Sequence, residues 1–420
     1  TQKQLYDYLQ QRGLPFIFNV TGAATGSGLV GNALERGVGY FGSRAESTAI
    51  LEVVLGSGDL LNLGFSAFPQ ARAKYLYRHG VGPSLEGLFF QSNYGIVTAA
   101  VVELLPIREM RAIVFCSIRE EKNLTRLIDA VARIRMLGVV ETALHIANRT
   151  RTEITVGPVL LETLREEGRY PDADLRDITK KILDLELRNA WTVVGGIMGS
   201  RTVVYNTYRY MKRAMNNFAE VKLITSERIE WGKRLAGLFG FLPTVRRKRI
   251  MLDALEPFFG LAQGFPTDAG MGSVYWPLER VCADPSSNPD HGNCGLLGCL
   301  PIVPLEGRAV AEAVEIIEGA FSRHGFTAYI TFNIVSRAAL EGVIGLAFDR
   351  DDEQEVARAH ECLDECQKLL NEHGYLPYRV GIQSMDSIVD PEKGSWRTVA
   401  GLKQILDPNH VIAPGRYNSV

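Results

Sequence analysis

Between Arg111 and about His373 the chain alternates strand and helix patterns at a steady spacing, and this constrains the fold more than any other feature. Residues 112–117 read as a strand, 120–136 as an amphipathic helix and 140–147 as a second strand. The same order returns at 192–197, 203–218 and 221–225, and again at 296–303, 309–324 and 327–335. A helix with one apolar face must be covered, so the modules predict an α+β region: an antiparallel sheet under helices 120–136, 203–218 and 309–324. Residues 340–348 return antiparallel, and the near-continuous apolar run 296–303 predicts a central strand buried on both faces.

The flanking segments are built differently. Residues 15–90 are glycine-rich, with strand-like pieces at 16–20 and 50–55 and a turn at Gly56-Ser57-Gly58-Asp59. An amphipathic run at 4–11 precedes them, with Leu5, Tyr8 and Leu9 on one face. After about Tyr375 come an apolar stretch, a helix over 396–406 and the turn Asp407-Pro408-Asn409. The alternating region therefore reads as an insertion between two outer segments.

Charge removes whole classes of partner. Forty-six basic against 48 acidic residues leave a net charge of −2, so no global field recruits nucleic acid or an anionic membrane. No apolar run is long enough to span a bilayer, and the residues at the start of the chain form neither a basic n-region nor an apolar h-region, so no export signal is expected among them. Six cysteines in 420 residues are too few for a disulfide scaffold and point to a reducing, cytoplasmic compartment. His291, Cys294 and Cys299 come close in sequence, but buried thiols packed as small hydrophobes are the expectation and no metal is assigned. Cys362 and Cys366 lie one turn apart on a helix without a nearby partner in sequence, and Cys282 completes the set with Cys116. The cluster Arg246-Arg247-Lys248-Arg249 reads as a solvated loop or helix start.

Gly26-Ser27-Gly28-Leu29-Val30-Gly31 has the GxGxxG form after a strand. In a nicotinamide domain that loop seats a pyrophosphate on a full crossover helix, but here the helix runs only from Asn32 to about Arg36 before Gly37 and Gly39 interrupt it. The loop remains suited to bringing backbone N–H groups close to another phosphate or ring system, or to a tight turn with no ligand.

Further words surround it. Gly31-Asn32-Ala33-Leu34-Glu35-Arg36-Gly37-Val38-Gly39-Tyr40, Gly80-Val81-Gly82-Pro83, Gly87-Leu88-Phe89, Gln91-Ser92-Asn93-Tyr94-Gly95-Ile96-Val97-Thr98, Asp407-Pro408-Asn409 and Ala413-Pro414-Gly415-Arg416 follow in order. Together they resemble the vanillyl-alcohol oxidase and 4-cresol dehydrogenase flavoprotein family over nearly the whole chain. The resemblance implies an α+β fold: a two-part FAD-binding domain of the p-cresol methylhydroxylase (PCMH) type at 1–106 and 375–420, and a substrate cap at 107–374.

It also implies roles. Ser27, Gly31 and Asn32 would offer small side chains and backbone donors beside the flavin, and Gly95, Ile96 and Val97 backbone groups to the adenine end. Arg416 would stand near the flavin ring, where a cation stabilises charge on the reduced isoalloxazine. Tyr378-Arg379 stands where the family carries a Tyr-Arg pair that holds a phenol as phenolate. A phenol has a pKa of about 10, and a donor plus a fixed cation favour its anion. The activity implied is oxidation of a para-substituted phenol or related small aromatic by hydride transfer to FAD through a quinone methide. Dioxygen or a cytochrome would then accept the electrons, and a homodimer is expected.

The chain departs from the family in places. Some members attach flavin to a histidine, but Arg337-Ala338-Ala339-Leu340-Glu341-Gly342 has none, so flavin is not histidyl-linked there. Other members use a tyrosine; Tyr329 lies in the adjacent strand, where a packed aromatic is the expectation. The family's pyrophosphate loop and a further substrate tyrosine belong to a segment preceding Thr1. The expectation is therefore a longer protein of which this chain is a trimmed product, a separate complementing N-terminal fragment or chain, or loss of flavin, with apolar surface left at Leu5, Leu9, Phe16 and Phe18. A non-catalytic binding or scaffold subunit is the rival reading, and a nicotinamide dehydrogenase the third.

Overall fold

A computed structural model describes residues 1–140, 142–238, 242–278 and 289–418. The N-terminal part runs α1 (Gln2–Gln11), β1 (Phe16–Phe18), α2 (Leu29–Leu34), β2 (Val38–Gly39), β3 (Gly42–Ser43), β4 (Thr48–Leu55), β5 (Leu60–Asn62), β6 (Gly95–Val102) and β7 (Leu104–Pro106). Next come β8 (Met110–Ile118), α3 (Leu124–Met136), β9 (Leu144–Asn148), α4 (Arg149–Glu166), α5 (Asp172–Glu186) and β10 (Trp191–Gly199). They lead into α6 (Arg201–Met215), β11 (Glu220–Thr225), α7 (Ser226–Leu238) and α8 (Pro243–Leu261). The rest is β12 (Cys294–Cys299), β13 (Ile302–Pro304), α9 (Gly307–Arg323), β14 (Tyr329–Ile334), β15 (Ala339–Asp349), α10 (Glu353–Glu372) and α11 (Gly394–Leu406).

Eight of these strands form one sheet in the order β11-β8-β10-β9-β14-β15-β12, with β13 also on β15. Every pairing is antiparallel, as the modules predict. One face carries the main core. Leu124, Leu127, Ile128, Val131 and Ile134 recur at helical spacing along α3 and are buried with Val204 and Met211 of α6 and Val310, Val314 and Ile317 of α9. Leu363 and Leu370 of α10 join them over Trp191, Phe332 and Ile344 of the sheet. Each fully buried aliphatic contributes about 1.5–3 kcal/mol, so this face anchors the fold.

Three expectations need correction. The run 296–303 is not a central strand: it breaks at Leu300 and Pro301 into β12 and β13, both pairing with β15, and Leu296 is 57% exposed. Proline has no N–H for a ladder, which is why the strand stops there. The helices α4, α5, α7 and α8 are unforeseen: α4, α5 and α8 pack on one another, and α7 and α8 reach the opposite face of the sheet. Ile229, Phe259 and Ala262 pack there on Ile113 and Val194. Finally, Leu9 and Phe18 are buried with Val20 and Leu261 of α8, and Leu5 and Phe16 pack against them, so no apolar wall is left at these residues.

The outer segments join in space. β5, β4 and β6 form a three-stranded sheet, and Val399, Leu402 and Leu406 of α11 pack on the cluster around Ile50 and Val53. Arg246, Arg247 and Arg249 lie on α8 and pair with Glu167 and Glu186, which is a structural use of that basic cluster. Cys294 places its thiol on the Val274 carbonyl, while Cys366 lies 3.7 Å from Cys299 and so has a neighbour after all. Cys282 lies outside the described residues. No described helix is long and apolar enough to cross a membrane.

Candidate functional site

On the sheet face opposite the main core, three neighbouring strands place polar side chains in one cross-strand row. His145 of β9 is paired with Asn333 of β14, and Asn333 with Glu341 of β15. His145 Nδ1 lies 2.6 Å from Asn333 Oδ1, so with the proton on Nδ1 the other nitrogen, Nε2, is a buried acceptor with no partner among the described residues. Burial pulls the histidine pKa down to about 4, the Asn333 hydrogen bond opposing it, so the ring is neutral at pH 7. Glu341 is 9% exposed and its Oε2 has no partner among the described residues. Burial pushes this carboxyl up to about 7, while the charges of Arg379 and Arg36 pull the other way.

The outer segments close over this row. The Tyr40 ring lies 4.4 Å from that of His145, and burial raises the Tyr40 phenol to about 12. Tyr378 is held at its backbone from both sides: its N–H donates to Leu300 of the large-sheet region, and its carbonyl accepts from Gln91 Nε2 of the N-terminal part. The Arg379 guanidinium stands 5.7 Å from the Tyr378 ring. Burial pushes Tyr378 up to about 12, Arg379 opposing and Glu341 and Tyr417 adding, so its hydroxyl stays a hydrogen-bond donor. Tyr378, Arg379 and Glu341 thus form one group, joined by Tyr417.

Arg416 reaches Glu35, and the Tyr417 hydroxyl lies 3.4 Å from the same carboxylate. Non-glycine residues with left-handed backbone gather here: Arg36 (φ 52°), Gln91 (φ 48°), Ala413 (φ 37°) and Tyr417 (φ 49°). Such conformations cost of order 1–3 kcal/mol each and persist where the surroundings over-determine them, which is typical of ligand clamps.

Ser27 lies in the loop before α2 and Gly31 and Asn32 within it; Gly26, Gly28 and Gly31 have open space where a side chain would stand. Asn32 Oδ1 is buried without a partner among the described residues and lies against Gly37, whose carbonyl accepts from Arg44 N–H. Arg44 is 2% exposed, its Nη1 has no partner among the described residues, and burial pulls it down to about 10. Gly95, Ile96 and Val97 open β6, the outer strand of its sheet, so one edge of their backbone has no ladder partner among the described residues. Gly95 must be glycine, because a Cβ would fall 2.4 Å from Val53 Cγ1. An uncompensated buried cation, bare buried acceptors, open glycines and a free strand edge fit a polar, anionic cofactor such as FAD.

His145, Asn333 and Glu341 carry no sequence motif. The one legible signal is that Glu341 interrupts an otherwise apolar strand. Tyr329 lies on the same face as Asn333, four residues along β14, with burial raising its phenol.

No protein-family model matches the chain. It is 29% identical to a 1'-carboxy-chondrochloren decarboxylase of Chondromyces crocatus, over 100% of the chain and 76% of that protein. It is 24% identical to the 4-cresol dehydrogenase [hydroxylating] flavoprotein subunit of Pseudomonas putida, over 98% of the chain and 72% of the relative. Its fold matches that of a 4-ethylphenol oxidase from Gulosibacter chungangensis, with a TM-score of 0.80 at 22% identity over 99% of the chain and 74% of the oxidase. The resemblance read from the residues is borne out, and the α+β fold is that of these proteins.

Proposed function

We propose that this chain, a relative of the 4-cresol dehydrogenase flavoproteins, is a FAD-dependent oxidoreductase acting on a para-substituted phenol. On this reading residues 1–106 and 375–420 form the flavin side and 107–374 the cap. The observation that carries it is the meeting of Tyr378 and Arg379 with a carboxyl, Glu341, poised near neutral pH.

Bound FAD supplies a two-electron acceptor for a benzylic hydride. Ser27, Gly31, Asn32, Arg44 and the backbone of Gly95, Ile96 and Val97 would hold it, with Arg416 toward the ring. Arg379 favours the phenolate, and Tyr378, protonated throughout the neutral range, donates a hydrogen bond to the phenolate oxygen. The phenolate pushes electron density to the para carbon, so the substrate leaves the oxidation as a quinone methide. Glu341, with a pKa of about 7, is matched to accept the phenol proton or activate water.

Absorbance near about 450 nm in the purified protein, bleached anaerobically by a 4-alkylphenol, tests the reading. Flavin that no phenol bleaches would overturn it, and a flavin-free protein with an undisturbed fold would favour the scaffold reading. The 29% identical decarboxylase supports a second reading, release of a substrate carboxylate. Trapped carbon dioxide distinguishes the two.

A further inference from the structure

His145 is fixed on three sides. Its Nδ1 lies 2.6 Å from Asn333 Oδ1, its ring lies 4.4 Å from that of Tyr40, and its backbone is paired with β10 and β14 in the large sheet. Tyr40 is itself anchored: its N–H donates to the Val20 carbonyl, and its own carbonyl accepts from Ala143 N–H just before β9. A carbonyl oxygen only accepts, so the Asn333 contact puts the ring proton on Nδ1 and leaves Nε2 as an acceptor. That nitrogen is buried and has no partner among the described residues. An unmet buried acceptor costs about 1–3 kcal/mol, so a bare Nε2 in a ring otherwise fully engaged calls for a donor from a ligand.

Strand register says which end of a ligand that donor occupies. Ile302 of β13 pairs with Glu341 and donates its N–H to the Leu376 carbonyl, while the Leu300 carbonyl accepts from Tyr378 N–H. The backbone itself therefore brings the Tyr378-Arg379 clamp to the Glu341 end of the row. Two strand spacings, about 10 Å, separate the Glu341 and His145 positions. Past His145 the row turns apolar, its next two positions being Val194 and Phe115, and Val194 packs with Ile113, Phe259 and Ala262. A phenol clamped at the Glu341 end runs its para side chain toward this apolar surface, with the bare Nε2 at its near edge.

We propose that His145 is a specificity-determining residue whose Nε2 accepts a hydrogen bond from a hydroxyl on the substrate's para side chain, so that the chain acts on 4-(hydroxyalkyl)phenols in preference to 4-alkylphenols. This rests on the phenol-oxidising reading above and names its substrate class. A hydrogen-bond donor is the shared chemistry; a donor of the cofactor would satisfy the same nitrogen, and the test separates the two sources.

The test uses the flavin-loaded protein, its His145→Phe and His145→Gln variants, and two probes of equal size, 2-(4-hydroxyphenyl)ethanol and 4-propylphenol, which differ by a hydroxyl in place of a methyl. The wild type should favour the alcohol in kcat/KM on the order of 10–100-fold. His145→Phe should bring that ratio near one, chiefly through a higher KM for the alcohol. His145→Gln, which keeps a distal acceptor, should retain part of the preference. It and the wild-type ratio carry the decision should His145→Phe not fold. A wild-type ratio near one, or a preference kept intact in His145→Phe, would overturn the proposal; weaker flavin retention in that variant with the preference kept would assign Nε2 to a cofactor donor. Should the wild type oxidise neither probe, the phenol reading fails, and melting temperature still decides this one. Stabilisation by the alcohol above that by 4-propylphenol, lost in the variants, upholds the hydroxyl contact, and a shift absent or common to both probes refutes it.

Discussion

Lys403 Nζ lies 2.5 Å from Asp407 Oδ2, with both side chains fully buried. The ammonium also donates to the carbonyls of Asn93 at 2.6 Å and Ile412 at 2.7 Å, which uses all three of its hydrogens. Asp407 accepts in addition from the N–H groups of Val411 and Ile412. One ion pair therefore fastens the C-terminal turn to the strand entry at Asn93.

Breaking that pair from one side leaves a buried charge alone. Lys403→Met should lose about 3–5 kcal/mol in denaturant unfolding, and the Lys403→Met/Asp407→Leu double variant should lose less than the single one. Burial pushes Asp407 up, but Lys403 and the two N–H groups outweigh it and hold the carboxyl below its ordinary 3.8. A depressed folded pKa gives stability that is present above the unfolded pKa and lost as pH falls through the folded one. Wild-type protein should therefore show this loss in acid and Asp407→Asn should not.

Arg379→Ala should remove the cation that favours phenolate and cost on the order of 2–4 kcal/mol of transition-state stabilisation, with Tyr378→Phe costing less. Arg379 also pulls the Glu341 pKa down, so the variant's pH–rate profile should move to higher pH. Unchanged turnover of 4-alkylphenols with Arg379→Ala would make the clamp assignment wrong.

Glu341 gives the opposite pH signature to Asp407. Burial raises its pKa from 4.5 to about 7, so between those values the folded state keeps a proton that the unfolded state has released. Stability falls as pH rises through that window, by about 3 kcal/mol once both states are ionised. Glu341→Gln should accordingly be more stable than wild type at pH 8 and no more stable at pH 4. Parallel stability curves for the two proteins would refute the assignment.

Acid precipitation of the loaded protein should release its flavin. His145 is the histidine of the site, but it is engaged by Asn333 through Nδ1 and packed under Tyr40. Flavin fluorescence retained on a histidine-containing peptide would contradict this.

The strands and amphipathic helices of the large sheet were legible because buried residues recur at periods of two and 3.6, as Leu124, Leu127, Ile128 and Val131 do on α3. The run 296–303 misled because an apolar stretch looks the same at a sheet edge as in its middle; Pro301 was the clue to the break. Burial of Leu9 and Phe18 depends on Leu261, more than 240 residues away, and no local pattern carries that contact. In the site, Tyr378 and Arg379 were visible as adjacent residues in a recognisable word. His145, Asn333 and Glu341 become neighbours only through strand register, which a single sequence does not display.

The two-sided tether of Tyr378 has a mechanical consequence. Its N–H on Leu300 and its carbonyl on Gln91 make the phenol clamp a rivet through the seam between the large-sheet region and the outer segments. Any slippage along that seam shears the binding geometry before it exposes much core. Substitutions that loosen the seam, such as Gln91→Ala, should therefore register first as weakened phenol affinity, with the melting temperature following only later.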